Sequence, residues 1–348
     1  MDLTILLMLA QDGVTTGAIY VLLALGLVLV FSITRVIFIP LGELMSFAAL
    51  SLVALQAATL PPPVWLLLIL GGLCFLADLG VALRHRAPGA MRPLGVSALR
   101  HVAVPVGLFV LFKLIEGHTL HVLVQAVLVL VLVVPFGGML YRLAYRPVAE
   151  ASVLVLLIVS VAVHFVLLGA GLMLFGAEGW RAQALWDARF SLGDQSVSGQ
   201  SLLVLGVTVS LMGALYAFFK GSLSGKALRA AAVCRRGAQL VGISAEEAGR
   251  SAFTLAAFIA ALCGVLIAPL ATVYFDSGFL FGLKGFVGAI FGGLVSYPAA
   301  AAGALLVGLL ESYASFEASA FKEVIVFGAI VPILLWRSLI SGHSDDES

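Results

Sequence analysis

Charged side chains are scarce in this sequence. Asp, Glu, Lys and Arg make up 11% of its 348 residues, whereas hydrophobic residues make up 62%. A soluble globular domain contains about 25% charged residues, so the composition excludes that class. The formal net charge of +1 gives no overall field for nucleic acid. Only three cysteines occur (Cys74, Cys234 and Cys263), and an odd, scattered set argues against a disulfide framework or a metal cluster.

Motifs of catalysis are missing as well. The sequence contains no G-x-S-x-G, no H-E-x-x-H and no paired Cys or His at metal-binding spacing. We therefore expect no catalytic residues, no metal site and no enzymatic activity. The stretch 221–227 superficially resembles a phosphate-binding loop, but it is one residue too short and Ala227 stands at the Ser or Thr position. ATP hydrolysis is thus expected only on a separate subunit. A cleavable signal peptide is not predicted, because Asp2 replaces the usual positive region.

Long apolar runs dominate instead. A membrane-spanning helix needs roughly 17–25 predominantly apolar residues, and runs of this length recur along the chain. Continuous apolar stretches such as 21–30 and 123–134 favour helices over the alternating strands of a membrane barrel. The sequence therefore predicts an all-α polytopic integral membrane protein with about 9–11 transmembrane helices. The predicted spans are 13–33, 37–60, 64–83, 101–116, 119–140, 151–175, 200–220, 250–275, 281–297, 299–316 and 322–338.

Loop lysines and arginines indicate the orientation, because such residues accumulate on the cytoplasmic side. The basic loops are 84–100, 141–150 and 221–250. Eleven spans with the N-terminus outside place all of them in the cytoplasm, together with the C-terminus. The polar stretches are too short to bury a core of their own. Residues 1–348 are therefore predicted to form a single transmembrane domain.

The basic segment 222–248 lies between two predicted spans and is rich in helix-forming residues. Within it, Leu228, Ala231, Ala232 and Arg235 recur at three- and four-residue steps, which places them on one helix face. Gly242 is a candidate end for this helix, and Ser244 with Glu247 has the spacing of a capping box for the next one. Two interpretations stay open: an ordinary positively charged helix on the lipid surface, or a docking helix for another protein.

This segment also resembles a known family, the LivH-type permease subunits of branched-chain amino acid ABC importers. The family pattern is close to G-[KR]-A-x-R-A followed by A-x-L-x-G-I. It is matched by Gly225, Ala227, Arg229, Ala230, Ala238, Leu240, Gly242 and Ile243. Further similar blocks follow in order at 17–20, 24–27, 35–37 with 42–43, 142–147, 282–286 and 308–311. The resemblance covers about 1–60 and 120–340, and 64–116 has the character of an inserted pair of spans. The sequence departs from the family pattern at 38–41, Tyr141 and Cys234.

The resemblance implies a permease for branched-chain or other small apolar amino acids that works by alternating access in a bacterial inner membrane. The implied partners are two ABC ATPase subunits carrying ATP and Mg, a second permease subunit forming a heteromer, a periplasmic substrate-binding protein and membrane lipid, but no nucleic acid. No cofactor is expected on this chain. The segment 222–248 would be the coupling-helix loop. Its implied ATPase-coupling residues are Gly225, Leu228, Arg229, Ala230, Ala238, Leu240, Gly242 and Ile243.

Ionisable residues inside spans are costly to bury, by several kcal/mol on most scales, and are therefore candidate sites. Glu43 either lines the transport path or pairs with a basic group such as Arg35. Lys284 is either an interfacial anchor or a contact for a substrate carboxylate, and His164 is predicted to be a hydrogen-bonded packing residue. The candidate substrate-path residues are Gly42, Glu43, Gly282, Lys284, Gly285 and Phe286, and Glu311 is assigned to a subunit interface or helix packing. The alternative function is a self-sufficient ion- or proton-coupled secondary transporter or channel, with Glu43 and Glu311 as ion sites.

Glycines recur at three- and four-residue spacing in the span 281–297. Gly282, Gly285, Gly288 and Gly292 either let neighbouring helices approach closely or mark a broken or re-entrant helix whose backbone faces a cavity.

Overall fold

The computed structural model describes residues 3–85, 91–114, 120–192 and 195–341, and nearly all of the regular structure is helical. Two short strands, β1 (Arg189–Leu192) and β2 (Gln195–Ser198), form an antiparallel pair. The helices are α1 (Leu3–Thr34), α2 (Leu41–Gln56), α3 (Pro63–His85), α4 (Met91–Ala98), α5 (Val104–Leu114), α6 (Val122–Leu140), α7 (Val153–Phe175), α8 (Gly199–Gly221), α9 (Leu223–Val233), α10 (Arg235–Leu240), α11 (Ala245–Ile267), α12 (Ser277–Phe291), α13 (Tyr297–Glu317), α14 (Lys322–Gly328) and α15 (Ile330–Ser341).

Eight helical stretches among the described residues are long and apolar enough to cross a membrane, and α2 and α12 are shorter apolar helices. This confirms the prediction of an all-α polytopic membrane protein. The last predicted span, 322–338, is divided into α14 and α15 around Ala329. The predicted span 250–275 instead runs from Ala245 to Ile267, because the chain beyond it leaves the helix and pairs Val273 with Trp180.

The core of the bundle is formed by α1, α2, α6, α11, α12 and α13. Small residues allow a close crossing between α1 and α13, where a methyl group on Gly308 would overlap the backbone of Gly17. The helices α3, α5, α7 and α8 surround this core. They expose many large apolar side chains, including Leu83, Leu114, Val166 and Val209, as expected of helices in contact with lipid.

The helix ends define two opposite faces of the molecule. We call one the basic face: it carries the turn 141–150, α9 and α10. The turn is joined to α10 by a hydrogen bond from Arg235 to the Ala149 carbonyl (2.9 Å) and to the start of α11 by the Arg146–Glu246 ion pair (2.6 Å). The other, the hairpin face, carries β1, β2 and the segment 268–276. Near this face, Gln200 of α8 donates a hydrogen bond to the Leu266 carbonyl of α11 (3.0 Å). The predicted basic loops 141–150 and 221–250 therefore lie together, as their common charge suggested.

The predicted insertion 64–116 is attached to the core through α6; its residues 86–90, 115 and 116 lie outside the described part of the chain. Asp78 of α3 forms an ion pair with Arg142, which follows α6 in a π-helical turn. Ser97 of α4 donates a hydrogen bond to the same carboxylate (2.6 Å). Asp78 is thereby held by two groups, and α3 and α4 are anchored at the end of α6.

Candidate functional site

Local capping interactions shape α9 and α10 on the basic face. Ser222 begins α9 by accepting a hydrogen bond from the Gly225 N–H (2.9 Å). After α10, the N–H of Ile243 donates to the Ala238 carbonyl (2.9 Å) and that of Gly242 to the Gln239 carbonyl (3.1 Å), with Gly242 at φ +85°. This is a Schellman motif, for which glycine is preferred.

Ser244 then caps α11 by accepting from the Glu247 N–H (3.3 Å). Two predictions, that Gly242 ends a helix and that Ser244 starts the next one, are confirmed. The stretch 221–227 is mostly helical, so it does not form a loop whose N–H groups converge on a phosphate.

The inner side of these two helices packs on the membrane bundle. Gly225, Leu228, Ala231 and Ala238 are buried. A methyl group on Gly225 would overlap the Phe218 carbonyl, so the closeness of α9 to the end of α8 depends on this glycine. The predicted common face of Leu228 and Ala231 is thus the face that anchors α9.

The outer side is apolar and basic at once. Leu223, Val233 and Leu240 are 85%, 88% and 89% exposed, and Val241 is also exposed. Lys226, Arg229 and Arg236 are exposed around them. We call these seven residues the α9–α10 surface. Exposed apolar patches bordered by charge are typical of protein interaction sites.

The predicted coupling residues divide between the two sides. Arg229, Leu240 and Gly242 face outward, whereas Gly225, Leu228 and Ala238 are buried beneath them, and Ala230 and Ile243 are half-buried. Their coupling role stays a prediction. Leu223, Val233 and Val241 were not predicted from the sequence, although the spacing of Leu223, Lys226 and Val233 along one side of a helix indicates a shared face.

A groove of about 560 Å³ runs beside this surface. Its walls come from the turn after α6 and from the α10–α11 connection, and they include Arg146, Arg235, Gln239 and Glu246. The groove therefore lies between α10 with the start of α11 and the turn that follows α6.

Inside the bundle, Glu43 at the start of α2 contacts His164 of α7, with 2.7 Å between Oε1 and Nδ1. Glu43 is 1% exposed, and its other carboxylate oxygen has no hydrogen-bond partner among the described residues. The His164 ring lies against Phe279 of α12, with 4.7 Å between the ring centres. Glu43 thus pairs with His164 rather than with Arg35, and His164 is hydrogen-bonded as predicted.

Two glycines make this arrangement possible. A methyl group on Gly42 would overlap the Gly278 carbonyl, and one on Gly278 would overlap that of Gly42. The backbones of α2 and α12 therefore touch directly beside Glu43. Ser46, one turn further along α2, is buried and its hydroxyl also lacks a partner among the described residues. Unpartnered buried polar groups of this kind are uncommon and call for an explanation.

A second buried cluster surrounds Lys284 of α12. Its ammonium group lies 2.6 Å from Glu311 of α13 and 3.1 Å from Glu323 of α14. Tyr20 of α1 donates a hydrogen bond to Glu311. Four helices therefore meet at one lysine. Tyr20 and Glu323 were not identified from the sequence, because nothing in their local pattern indicates a partner so distant along the chain.

Of the remaining candidate path residues, Gly282 lies between these two clusters along α12, and Gly285 and Phe286 directly follow Lys284. Gly282 and Gly285 are buried against Gly42 and Leu23 respectively, and Phe286 is half-buried in the core. Because α12 is one continuous helix from Ser277 to Phe291, close packing accounts for its glycines. The backbone departs from the helix only at its end, where Gly293 has φ +61° and Leu294 φ +60°.

Comparison with known proteins adds to this geometry. A family model described as the permease component of the branched-chain amino acid transport system matches residues 96–335. The chain is 30% identical over 209 residues to the high-affinity branched-chain amino acid transport system permease protein BraD of Pseudomonas aeruginosa, covering 58% of this chain and 68% of that protein. It is 29% identical over 207 residues to the permease protein LivH of Escherichia coli and of Salmonella typhimurium, covering 58% of this chain and 67% of each. No solved structure matches the chain.

Proposed function

The chain belongs to the family of permease components of branched-chain amino acid transport systems, and from this premise we propose that it is the permease of an ATP-driven ABC importer. Its cargo would be a branched-chain or other small apolar amino acid, the cargo class printed in the names of its relatives. ATP and Mg would be bound by two separate ATPase subunits. A second, different permease subunit and a periplasmic substrate-binding protein would complete the assembly.

The α9–α10 surface is the observation that carries this proposal. It exposes four large apolar side chains on the face where the basic loops gather. Burying one such side chain contributes about 1.5–3 kcal/mol, so a partner that covers several of them gains a stable contact. The positive-inside rule assigns the basic face to the cytoplasm. The N-terminus is then periplasmic, the C-terminus is cytoplasmic and the membrane is the inner one.

Force applied to this surface would pass into the bundle through short contacts. Arg235 of α10 binds the Ala149 carbonyl, and Glu246 of α11 pairs with Arg146. Both contacts end on the turn that follows α6. We propose that closure of the ATPases moves α9 and α10 as one body and that α6 and α11 follow, which opens the path alternately to each side.

The proposed path runs along the contact between α2 and α12. Gly42, Glu43 and Gly282 are buried there and Gly285 is buried beside it against α1, so the path is closed in this conformation. Separation of α2 from α12 would expose the free oxygen of Glu43, which is suited to an ammonium group. Lys284 would instead hold the clamp formed with Glu311 and Glu323.

The decisive experiment removes the apolar part of the α9–α10 surface. Leu240→Ser with Val241→Ser should lower co-purification of the cognate ATPases by at least tenfold, because two exposed apolar contacts are lost, and amino acid uptake by reconstituted vesicles should fall in parallel. Val295→Ser is the matched control, since Val295 is an exposed apolar residue in the turn between α12 and α13, outside the α9–α10 surface.

Normal co-purification and uptake in the double variant would refute the docking assignment. Uptake driven by a proton gradient in vesicles that contain this chain alone would instead support the alternative, a secondary transporter.

A further inference from the structure

A second cavity, of about 630 Å³, lies on the flank of the bundle near the basic face. It is enclosed by α5 and the π-helical turn before it, by α6, by the end of α8 with α9, and by α11. Its volume is within the range of about 300–1,000 Å³ that is typical of ligand pockets. None of the roles assigned above uses it.

The rim of this cavity carries surplus positive charge. Arg100 and Arg250 line it, and within the described part of the chain neither contacts a carboxylate, whereas Arg142 and Arg146 are paired with Asp78 and Glu246. The carboxylate of Asp78, which lies next to the rim, already accepts hydrogen bonds from Arg142 and Ser97. Hydroxyl groups of Ser224, Ser251 and Thr254 add polar atoms to the lining.

The rest of the lining is apolar and continues into the membrane layer. Phe258 lies eight residues beyond Arg250 on α11, which corresponds to about 12 Å along the helix. Val104, Val134 and Leu255 line the same interval. Val104 is 43% exposed on the flank of the bundle, so the cavity is reached from the side where acyl chains lie.

The two arginines lie on different helices that face the same cavity. Arg250 is the sixth residue of α11, and Arg100 lies in the π-helical turn Leu99–Ala103 that leads into α5. Arg100 is exposed and Arg250 is half-buried. Two cations that line one cavity with apolar walls form the complement of a phosphate attached to acyl chains.

We propose that this cavity binds an anionic phospholipid of the leaflet at the basic face, with its phosphate between Arg100 and Arg250 and an acyl chain along Val104 and Phe258. Basic pockets between membrane helices suit such headgroups, and each nearby Lys or Arg contributes about 1 kcal/mol. A free phosphate would gain nothing from the apolar walls. Because Ser224 and Leu228 of α9 also line the cavity, a bound lipid would contact the helix that carries the α9–α10 surface.

The test measures lipid retention by the purified full-length chain with native mass spectrometry, using phosphatidylglycerol and phosphatidylcholine with identical acyl chains. The wild type should retain phosphatidylglycerol selectively. Arg100→Gln with Arg250→Gln should lower this retention by roughly tenfold or more. Lys226→Gln with Arg236→Gln removes the same charge from exposed residues of the basic face outside the cavity, and should leave retention unchanged.

A third variant tests the contribution of the apolar channel separately from that of the two arginines. Val104→Trp fills the apolar channel while keeping both arginines, and it should also reduce phosphatidylglycerol retention. Arg100→Gln alone, a change at an exposed residue, should reduce retention by roughly fivefold and serves if the double variant does not fold. Equal retention of the two lipids, or equal losses in the two double variants, would overturn the proposal. Unchanged retention in Val104→Trp, or complete displacement of the lipid by millimolar inorganic phosphate, would assign the rim to a free anion instead.

Discussion

The two buried charged clusters differ in how completely their hydrogen-bonding groups are used. Lys284 has two carboxylate partners, and Glu311 has both Lys284 and Tyr20. Glu43 has one partner, His164, and one of its oxygens has none among the described residues. One oxygen of Glu323 is likewise buried without a partner there, although that side chain as a whole is 39% exposed.

From this difference we propose a structural role for the Lys284 cluster and a functional one for the Glu43–His164 pair. A buried charge is tolerated when opposite charges and hydrogen bonds satisfy it. Lys284 and Glu311 meet that condition, and their cluster joins α1, α12, α13 and α14. The Glu43–His164 pair meets this condition only in part. The pair lies where the backbones of α2 and α12 touch at Gly42 and Gly278. Buried polar groups without a hydrogen-bond partner are rare in native structures, and a functional role is one explanation for them.

The largest effect is expected from removing the centre of the clamp. Lys284→Met should lower the free energy of unfolding by about 3–5 kcal/mol, because Glu311 is left buried without a cation. Thermal unfolding in detergent measures it. Lys322→Met is the matched control, since Lys322 is half-buried on α14 and forms no ion pair among the described residues. Stability equal to the control would show that the cluster does not clamp the bundle.

A triple variant tests whether the loss of stability comes from the carboxylates that Lys284→Met leaves unpaired. Adding Glu311→Gln and Glu323→Gln to Lys284→Met removes every charge of the cluster. Neutralising all partners of a buried ion pair usually costs less than removing one, so the triple variant should recover part of the lost stability. A further loss would indicate that each carboxylate stabilises the bundle independently of Lys284.

The membrane architecture and the caps of the basic segment follow from local sequence. Apolar runs define spans because the bilayer requires them, and Gly242 and Ser244 act within a few residues of their own helix ends. The partners of Glu43 and Lys284 do not follow in this way. His164 is 121 residues from Glu43, and Tyr20 is 291 residues from Glu311. Such pairings depend on how the helices pack, and the pattern along one helix carries no information about them.

The predicted pairing of Glu43 with Arg35 was wrong for the same reason. The two are close in sequence, but Arg35 stands in the turn between α1 and α2 with φ +61° and lies over the ring of Phe31. Glu43 enters α2 and is directed into the bundle. Proximity along the chain was therefore a poor guide where a turn reverses direction.

An intermediate effect on stability is expected at Glu43. Glu43→Gln keeps the size of the side chain and a hydrogen bond to His164, so it should change the free energy of unfolding by only about 1–2 kcal/mol. If Glu43 lines the path, amino acid uptake should fall more than in Glu311→Gln. The latter should show the larger loss of thermal stability, because it weakens the clamp at Lys284. Unchanged uptake in Glu43→Gln would reduce the pair to a structural role and remove the contrast between the clusters.

The smallest effect on stability is expected at Ser46. This variant tests whether the Ser46 hydroxyl lacks a hydrogen bond or forms one that contributes to stability. The Ser46 hydroxyl is fully buried without a partner among the described residues, so Ser46→Ala should leave stability unchanged or raise it by about 1 kcal/mol, since a desolvated polar group is removed. Ser160→Ala is the matched control: that buried hydroxyl donates to Tyr145 at 3.2 Å, and its removal should cost about 1 kcal/mol. Thermal unfolding and uptake are measured for both. A stability loss in Ser46→Ala as large as the control's would mean that folding already uses this hydroxyl; normal stability with reduced uptake would place Ser46 beside Glu43 in the transport path.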